Sequence, residues 1–273
     1  MQLETDELKK LKQIEFKIFK EFISVCKRLN LKYYLVAGTL LGAVRHKGFI
    51  PWDDDIDVGM PRADYERFIH EAQPFFPEKY FVQTLYSDSK LPMNFCKVRD
   101  SETTFIEKSI QKLNIHHGIY IDVFPLDEYP IDEREKKSFF KKYNFYSSCI
   151  GKSFEINESS KKRVLRKIFN MFTFFMPAQK AVQKREDLLK SLKPSNKLNN
   201  YSGFYGEREI MPKDWYGEGV LVEFEGLQVN APAEYDKWLT QVYGDYMTPP
   251  PVEKRVTHHY TEKIDLNKSY LEE

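Results

Sequence analysis

The chain has 273 residues, enough for one large domain or two small ones with a real core. Its formal net charge of +1 argues against a nucleic-acid partner. Its three cysteines, Cys26, Cys96 and Cys149, are odd in number and far apart, which argues against a disulfide framework or a cysteine zinc site and fits a reducing cytoplasm.

The first 22 residues are amphipathic and carry acids from the start, unlike a signal peptide. No run of about 18 apolar residues is present to span a membrane. Residues 5–30 are predicted as a helix, with Thr5 as N-cap and Leu8, Leu11, Ile14, Ile18, Phe22 and Val25 recurring at helical spacing. A short apolar strand, 33–36, follows. Gly38 and Thr39 then turn the chain into a helix over 39–46. Arg45, His46 and Lys47 close that helix, where cations suit its C-terminal dipole. A second role for Arg45 is to reach a substrate phosphate.

After Gly48 and Pro51 comes an acidic stretch, Trp52-Asp53-Asp54-Asp55-Ile56-Asp57-Val58. An extended strand over 53–58 places Asp53, Asp55 and Asp57 on one face, and Asp54 on the other. Like charges on one face raise each other's pKa, and a bound cation removes that difficulty. A Gly-Thr turn at a helix N-terminus beside such a strand suits a phosphate held by backbone N–H groups. The carboxylates then hold a hard divalent cation against it. Trp52 either joins the core or stacks on a ligand.

A helix over 62–72 ends before Pro74. Strands are predicted over 80–86, 95–99 and 103–107. In the segment from Gly118 to Pro130, Asp122 is one acid inside an apolar strand, costly to bury unless paired or bound to metal. Asp127 is expected in a turn. His116 and His117 are adjacent, so at most one can face a site on a strand. Residues 132–192 are expected to be helical and basic, and Lys161–Met176 carries cations ahead of an apolar block, a pattern able to lie on an anionic membrane. The part from Tyr201 opens on an aromatic-rich segment. A hairpin then turns near Glu225-Gly226, and a helix follows over 233–243. Lys254, Arg255, His258 and His259, after a run of prolines, form a tail that could clamp a diphosphate.

The block from Gly38 to Phe68 resembles the signature of the LicD family, within the nucleotidyltransferase superfamily. That superfamily carries Gly-Ser or a relative, then Asp-x-Asp, then a distant third acid. Gly38-Thr39 stands in the first position, Asp55 and Asp57 in the second, and Asp122 in the third. The resemblance covers most of the chain and is weakest over 130–200. It implies an α/β (α+β) fold with a nucleotidyltransferase-like mixed sheet core flanked by helices (1–130). A helical insertion (131–200) and a C-terminal hairpin-helix segment (201–273) complete it.

The implied activity is metal-dependent transfer of phosphocholine from CDP-choline to a sugar hydroxyl of a teichoic acid or lipopolysaccharide precursor, with release of CMP. Transfer of ribitol or glycerol phosphate, or nucleotidyl transfer to a small molecule, are the competing expectations. Mg²⁺ or Mn²⁺ is implied at Asp55, Asp57 and Asp122, with Asp122 either a ligand or the base. Gly38, Thr39 and Arg45 are expected at the donor phosphate, supported by Trp52, Asp53, Arg255 and His258. A choline head group is best recognised by an aromatic cage. Tyr201, Phe204, Tyr205, Trp215 and Tyr216 are the further candidates for it. The implied partners are a CDP-alcohol and a lipid-linked glycan acceptor, at a cytoplasmic location, peripheral to the inner face of the membrane.

Overall fold

A computed structural model of the protein describes residues 5–154, 169–257 and 259–272. The expected His258 position and the basic half of the 161–176 segment, through residue 168, lie outside these. The architecture is α+β, a mixed sheet flanked by helices, as the sequence leads one to expect.

Helix α1 (Thr5–Leu29) buries Leu11, Ile18, Phe19, Phe22 and Val25 as an apolar stripe. The main sheet runs β1 (Tyr34–Leu35), β2 (Asp57–Pro61), β6 (Ile119–Glu128), β4 (Cys96–Asp100), β3 (Tyr80–Gln83). Only the β2–β6 pair is parallel, and its register sets Asp57 opposite Asp122. Helix α1 lies against β4 and β6, and Phe22 meets Phe68 of α3 (Arg62–Glu71) with ring centroids 5.2 Å apart.

Strand β6 extends two residues further than a turn at Asp127 would allow. Asp127 is buried within it, and Arg62 donates to both of its oxygens at 2.6 Å. Beyond β6, α4 (Glu133–Ile150) starts at Asp132, whose carboxylate accepts from the N–H groups of Arg134 and Glu135. Helix α4 packs on α5 (Ala178–Lys190) around Cys149, Ile150, Ala181 and Val182.

Strands β7 (Lys197–Asn199) and β8 (Met211–Pro212) extend the sheet from the end of β6, and a one-turn helix, α6 (Lys213–Tyr216), follows. The expected hairpin forms from β9 (Val220–Phe224) and β10 (Leu227–Ala231). Its turn docks on the loop after α2 (Ala37–His46), where Glu225 accepts from the N–H of Phe49. Phe224, Val229 and Ala231 of the hairpin, with Trp238 and Val242 of α7 (Tyr235–Tyr243), share one core with α1 and the sheet. A strand not expected in the tail, β11 (Thr261–Asp265), pairs with β5 (Thr104–Glu107). All three cysteines are buried and free. Among the described residues no helix is long and apolar enough to cross a membrane.

Candidate active site

The acidic stretch is a loop followed by a strand. Pro51 and Trp52 form a tight turn closed by the Asp53 N–H on the Ile50 carbonyl, and β2 begins only at Asp57. Strict alternation therefore does not apply to 53–56. Asp54, expected on the far side, is buried, and Asp53, Asp54 and Asp55 each offer an oxygen within 4.8 Å of the others'. Its partner is His259, whose N–H and ring Nδ1 each lie 3.3 Å from a carboxylate oxygen of Asp54. The β5–β11 pairing brings His259 there.

Asp53, Asp55, Asp57 and Asp122 line a single cavity of about 600 Å³. Burial, then the charges of Asp55 and Asp54, push the Asp53 carboxyl well above its ordinary range. Burial, then Asp55 and Asp122, do the same to Asp57. Glu15 of α1, to which the helical pattern assigns no chemistry, is buried beside them. Its carboxyl is raised by burial and by the charges of Asp55, Asp54 and Asp53. Lys12, one turn earlier, donates to the carbonyls of Ile50 and Pro51 and braces the loop. Burial opposes a charge on His259, but the hydrogen bond to Asp54 and the neighbouring carboxylates lift it to about 9.

Lys97, another residue that sequence patterning misses, is buried on β4 opposite Asp122. Its ammonium donates to Asp122 at 2.8 Å and lies 3.3 Å from the centre of the Tyr120 ring. A lysine in an apolar strand beside an acid strand is the only signal the sequence carries for it.

Ala37 and Gly38, at the N-terminus of α2, line the cavity. A Cβ at Gly38 would lie 2.5 Å from an Asp53 oxygen, so a larger residue there would displace that carboxylate. Thr39 does not line the cavity; its hydroxyl accepts the Asp57 N–H at 2.8 Å and so fixes where β2 starts. Arg45 lines the cavity, with its guanidinium donating to the Tyr246 carbonyl and the His46 ring. Trp52 lines it too, half-buried against the core, with the Arg255 guanidinium 5.1 Å from its ring centre.

Of the five further aromatics expected around choline, Phe204 and Tyr205 line the cavity and the other three do not. Tyr201 packs among Phe139, Phe140 and Tyr143 of α4. Tyr216 is buried against Tyr34 and accepts from the Trp238 indole, and Trp215 packs on the core. Phe95, just before β4, Phe124 of β6, Tyr243 at the end of α7 and Tyr246 beyond it also line the cavity. His116 and His117 both lie away from the cavity. His116 is held neutral, near 3, first by burial and then by Arg99 and His117.

A family profile described as "LicD/FKTN/FKRP, nucleotidyltransferase domain" matches residues 30–150, the span holding Asp53, Asp55, Asp57 and Asp122. The "Lipopolysaccharide cholinephosphotransferase LicD" of Haemophilus influenzae is 30% identical over 261 residues, which is 91% of this chain and 94% of that protein. The chain belongs to the LicD family. An uncharacterized Rickettsia prowazekii protein is 34% identical over 116 residues, 42% of this LicD-family chain and 40% of its own. The human "Ribitol 5-phosphate transferase FKRP" is 45% identical over 42 residues, 15% of this chain and 8% of its own.

Proposed function

We propose that this LicD-family protein transfers phosphocholine from CDP-choline to a glycan hydroxyl, releasing CMP. The observation that carries the reading is the near full-length likeness to a cholinephosphotransferase, in a chain whose cavity is lined by Asp53, Asp55, Asp57 and Asp122. Transfer of this kind depends on positioning and charge neutralisation more than on covalent chemistry.

The donor set fits a hard divalent cation. It is all carboxylate oxygen, and burial with mutual repulsion raises the carboxyls of Asp53 and Asp57, a cost that a cation offsets. Asp55, Asp57 and Asp122, with Asp53, would hold Mg²⁺ or Mn²⁺. When bound, such an ion neutralises the diphosphate and the charge developing on the leaving oxygen.

The protein's own groups do the rest. The N-terminus of α2 presents the backbone N–H groups around Gly38 to a donor phosphate. Arg45, fixed by Tyr246 and His46, adds a cation at the cavity wall. Lys97 orients Asp122 through one of its oxygens. Asp122 is a cation ligand or the acceptor of the glycan hydroxyl's proton, and both roles use that orientation.

The short likeness to a ribitol 5-phosphate transferase favours CDP-ribitol as the second donor. Incubation with CDP-choline, CDP-ribitol, CDP-glycerol or CTP separates these readings. CMP release from CDP-choline, abolished by EDTA and restored by Mg²⁺ or Mn²⁺, is the expected result. Pyrophosphate from CTP, or full activity in excess EDTA, would overturn it.

We also propose that the protein meets its acceptor at an anionic bilayer. Met171, Phe172, Phe174 and Phe175 are exposed, and in the sequence they follow five cations over 161–167 with no acid between. Co-sedimentation with phosphatidylglycerol vesicles is expected. It should fall sharply when Phe172, Phe174 and Phe175 are changed to Ser, and binding that survives the change would refute the contact.

A further inference from the structure

The cavity holds a buried carboxylate that the phosphate chemistry does not use. Glu209 lies on the 3-10 turn Gly206–Glu209 and is only 2% exposed, yet it lines the cavity. Its neighbours supply neutral partners. The Tyr205 N–H donates to it at 2.9 Å, and the Asn200 side chain also hydrogen-bonds to it. Among the described residues it forms no ion pair. Gly203 admits the carboxylate, since a Cβ there would lie 2.1 Å from its oxygen. Burial pushes the carboxyl up to about 7. An unpaired buried carboxylate is costly, and a cation brought by a ligand removes that cost.

Aromatic rings stand beside it. Tyr205 and Tyr243 meet edge to face, with centroids 5.0 Å apart, and both line the cavity. Their hydroxyls are raised first by burial, the charges of Asp53 and Asp57 add to this, and the pair lines the same cavity as those acids. A donor phosphate at that wall would thus place a head group on a short linker next to the tyrosines. An aromatic surface with one desolvated acid is the chemistry that selects an ammonium over a neutral alcohol.

We propose that Glu209, with Tyr205 and Tyr243, forms the subsite for the cationic head group of the donor and sets its specificity for an ammonium alcohol. The proposal rests on the reading of the cavity as a CDP-alcohol site. Glu209→Gln tests it cleanly, because the amide oxygen still accepts the Tyr205 N–H while the charge is gone. The probes are choline and its neutral carbon isostere, dimethylbutanol, with binding measured by titration calorimetry in Mg²⁺ and CMP.

Wild type should bind choline more tightly than the isostere. Glu209→Gln should lose at least about tenfold for choline and nothing for the isostere, a difference near 1.4 kcal/mol. Tyr243→Leu should weaken choline binding too, with thermal melts checking the fold of both variants. Equal choline binding by wild type and Glu209→Gln, or no choline binding by either, overturns the subsite. Choline binding that depends on Glu209, without CMP release from CDP-choline, would leave the subsite standing and refute the transfer reaction instead.

Discussion

Asp57→Asn is expected to lower kcat by about 10²–10³-fold, the size seen when one electrostatic contact to a transition state is removed. Asp55→Asn and Asp122→Asn should do likewise. Stability should separate the three. Asp57 lies at a parallel register position opposite Asp122 and beside Asp55, and its charge is opposed by burial and by both neighbours. Removing that charge relieves repulsion, so the metal-free Asp57→Asn protein should melt at or above the wild-type temperature. Asp122→Asn should melt below it, because the buried Lys97 ammonium loses the carboxylate 2.8 Å away, with Glu107 at 3.7 Å. Activity with melting curves in EDTA and in Mg²⁺ checks this. A wild-type kcat in Asp57→Asn, or a metal-free melting point well below wild type, would contradict the arrangement.

Arg62→Ala should cost about 3–5 kcal/mol of folding stability, read from urea unfolding. Arg62 opens α3 and joins three elements. It donates to both oxygens of Asp127 on β6 and to Glu186 on α5, each at 2.6 Å, and both acids are buried. Glu186 is also held by Asn94. Without the guanidinium Asp127 loses the cation beside it, and Glu186 is left with Lys190, 3.9 Å away. Burial already raises both carboxyls, with Arg62 opposing the rise, so its removal raises them further. A carboxyl raised in the folded state favours folding at low pH and loses that contribution as pH climbs through its folded value. The deficit of Arg62→Ala should therefore be smallest below the ordinary carboxylate range and grow toward neutral pH. A loss that does not change with pH would place the effect in packing instead.

What could be learned from the sequence follows from how local each signal is. The α1 stripe, strand β6 and the β9–β10 hairpin depend on periodicity and turn residues, and they form where those patterns lie. Asp55, Asp57 and Asp122 were visible as acids in apolar or strand-like surroundings, and one cavity wall collects them. Asp54 stays off the cavity wall as the parity argument expects, but not through strand alternation, because Pro51 and the closing Asp53 N–H make a turn that displaces the start of the strand to Asp57. That turn was legible from Pro51 alone.

Other features depend on contacts far apart in the chain. His259 reaches Asp54 through a strand pairing between the tail and β5, a separation of 205 residues for which no local pattern exists. Tyr201 and Tyr216 looked like ligand aromatics by proximity in sequence. The α4 helix claims the first and the Tyr34–Trp238 core the second, while Tyr243 arrives from the next helix. Lys97 and Glu209 were overlooked because a lone charge in a strand or turn gives no periodic signal.

The central claim is that the bond broken in the donor lies between CMP and the phosphorus bearing the alcohol. CDP-choline labelled in one preparation on choline and in another on cytidine tests it, with the glycan acceptor and free nucleotide separated after reaction in Mg²⁺. The expected result is choline label in the glycan and cytidine label recovered as CMP, both lost in Asp57→Asn. Cytidine label in the glycan, or no label there while CDP-choline is consumed, would contradict it.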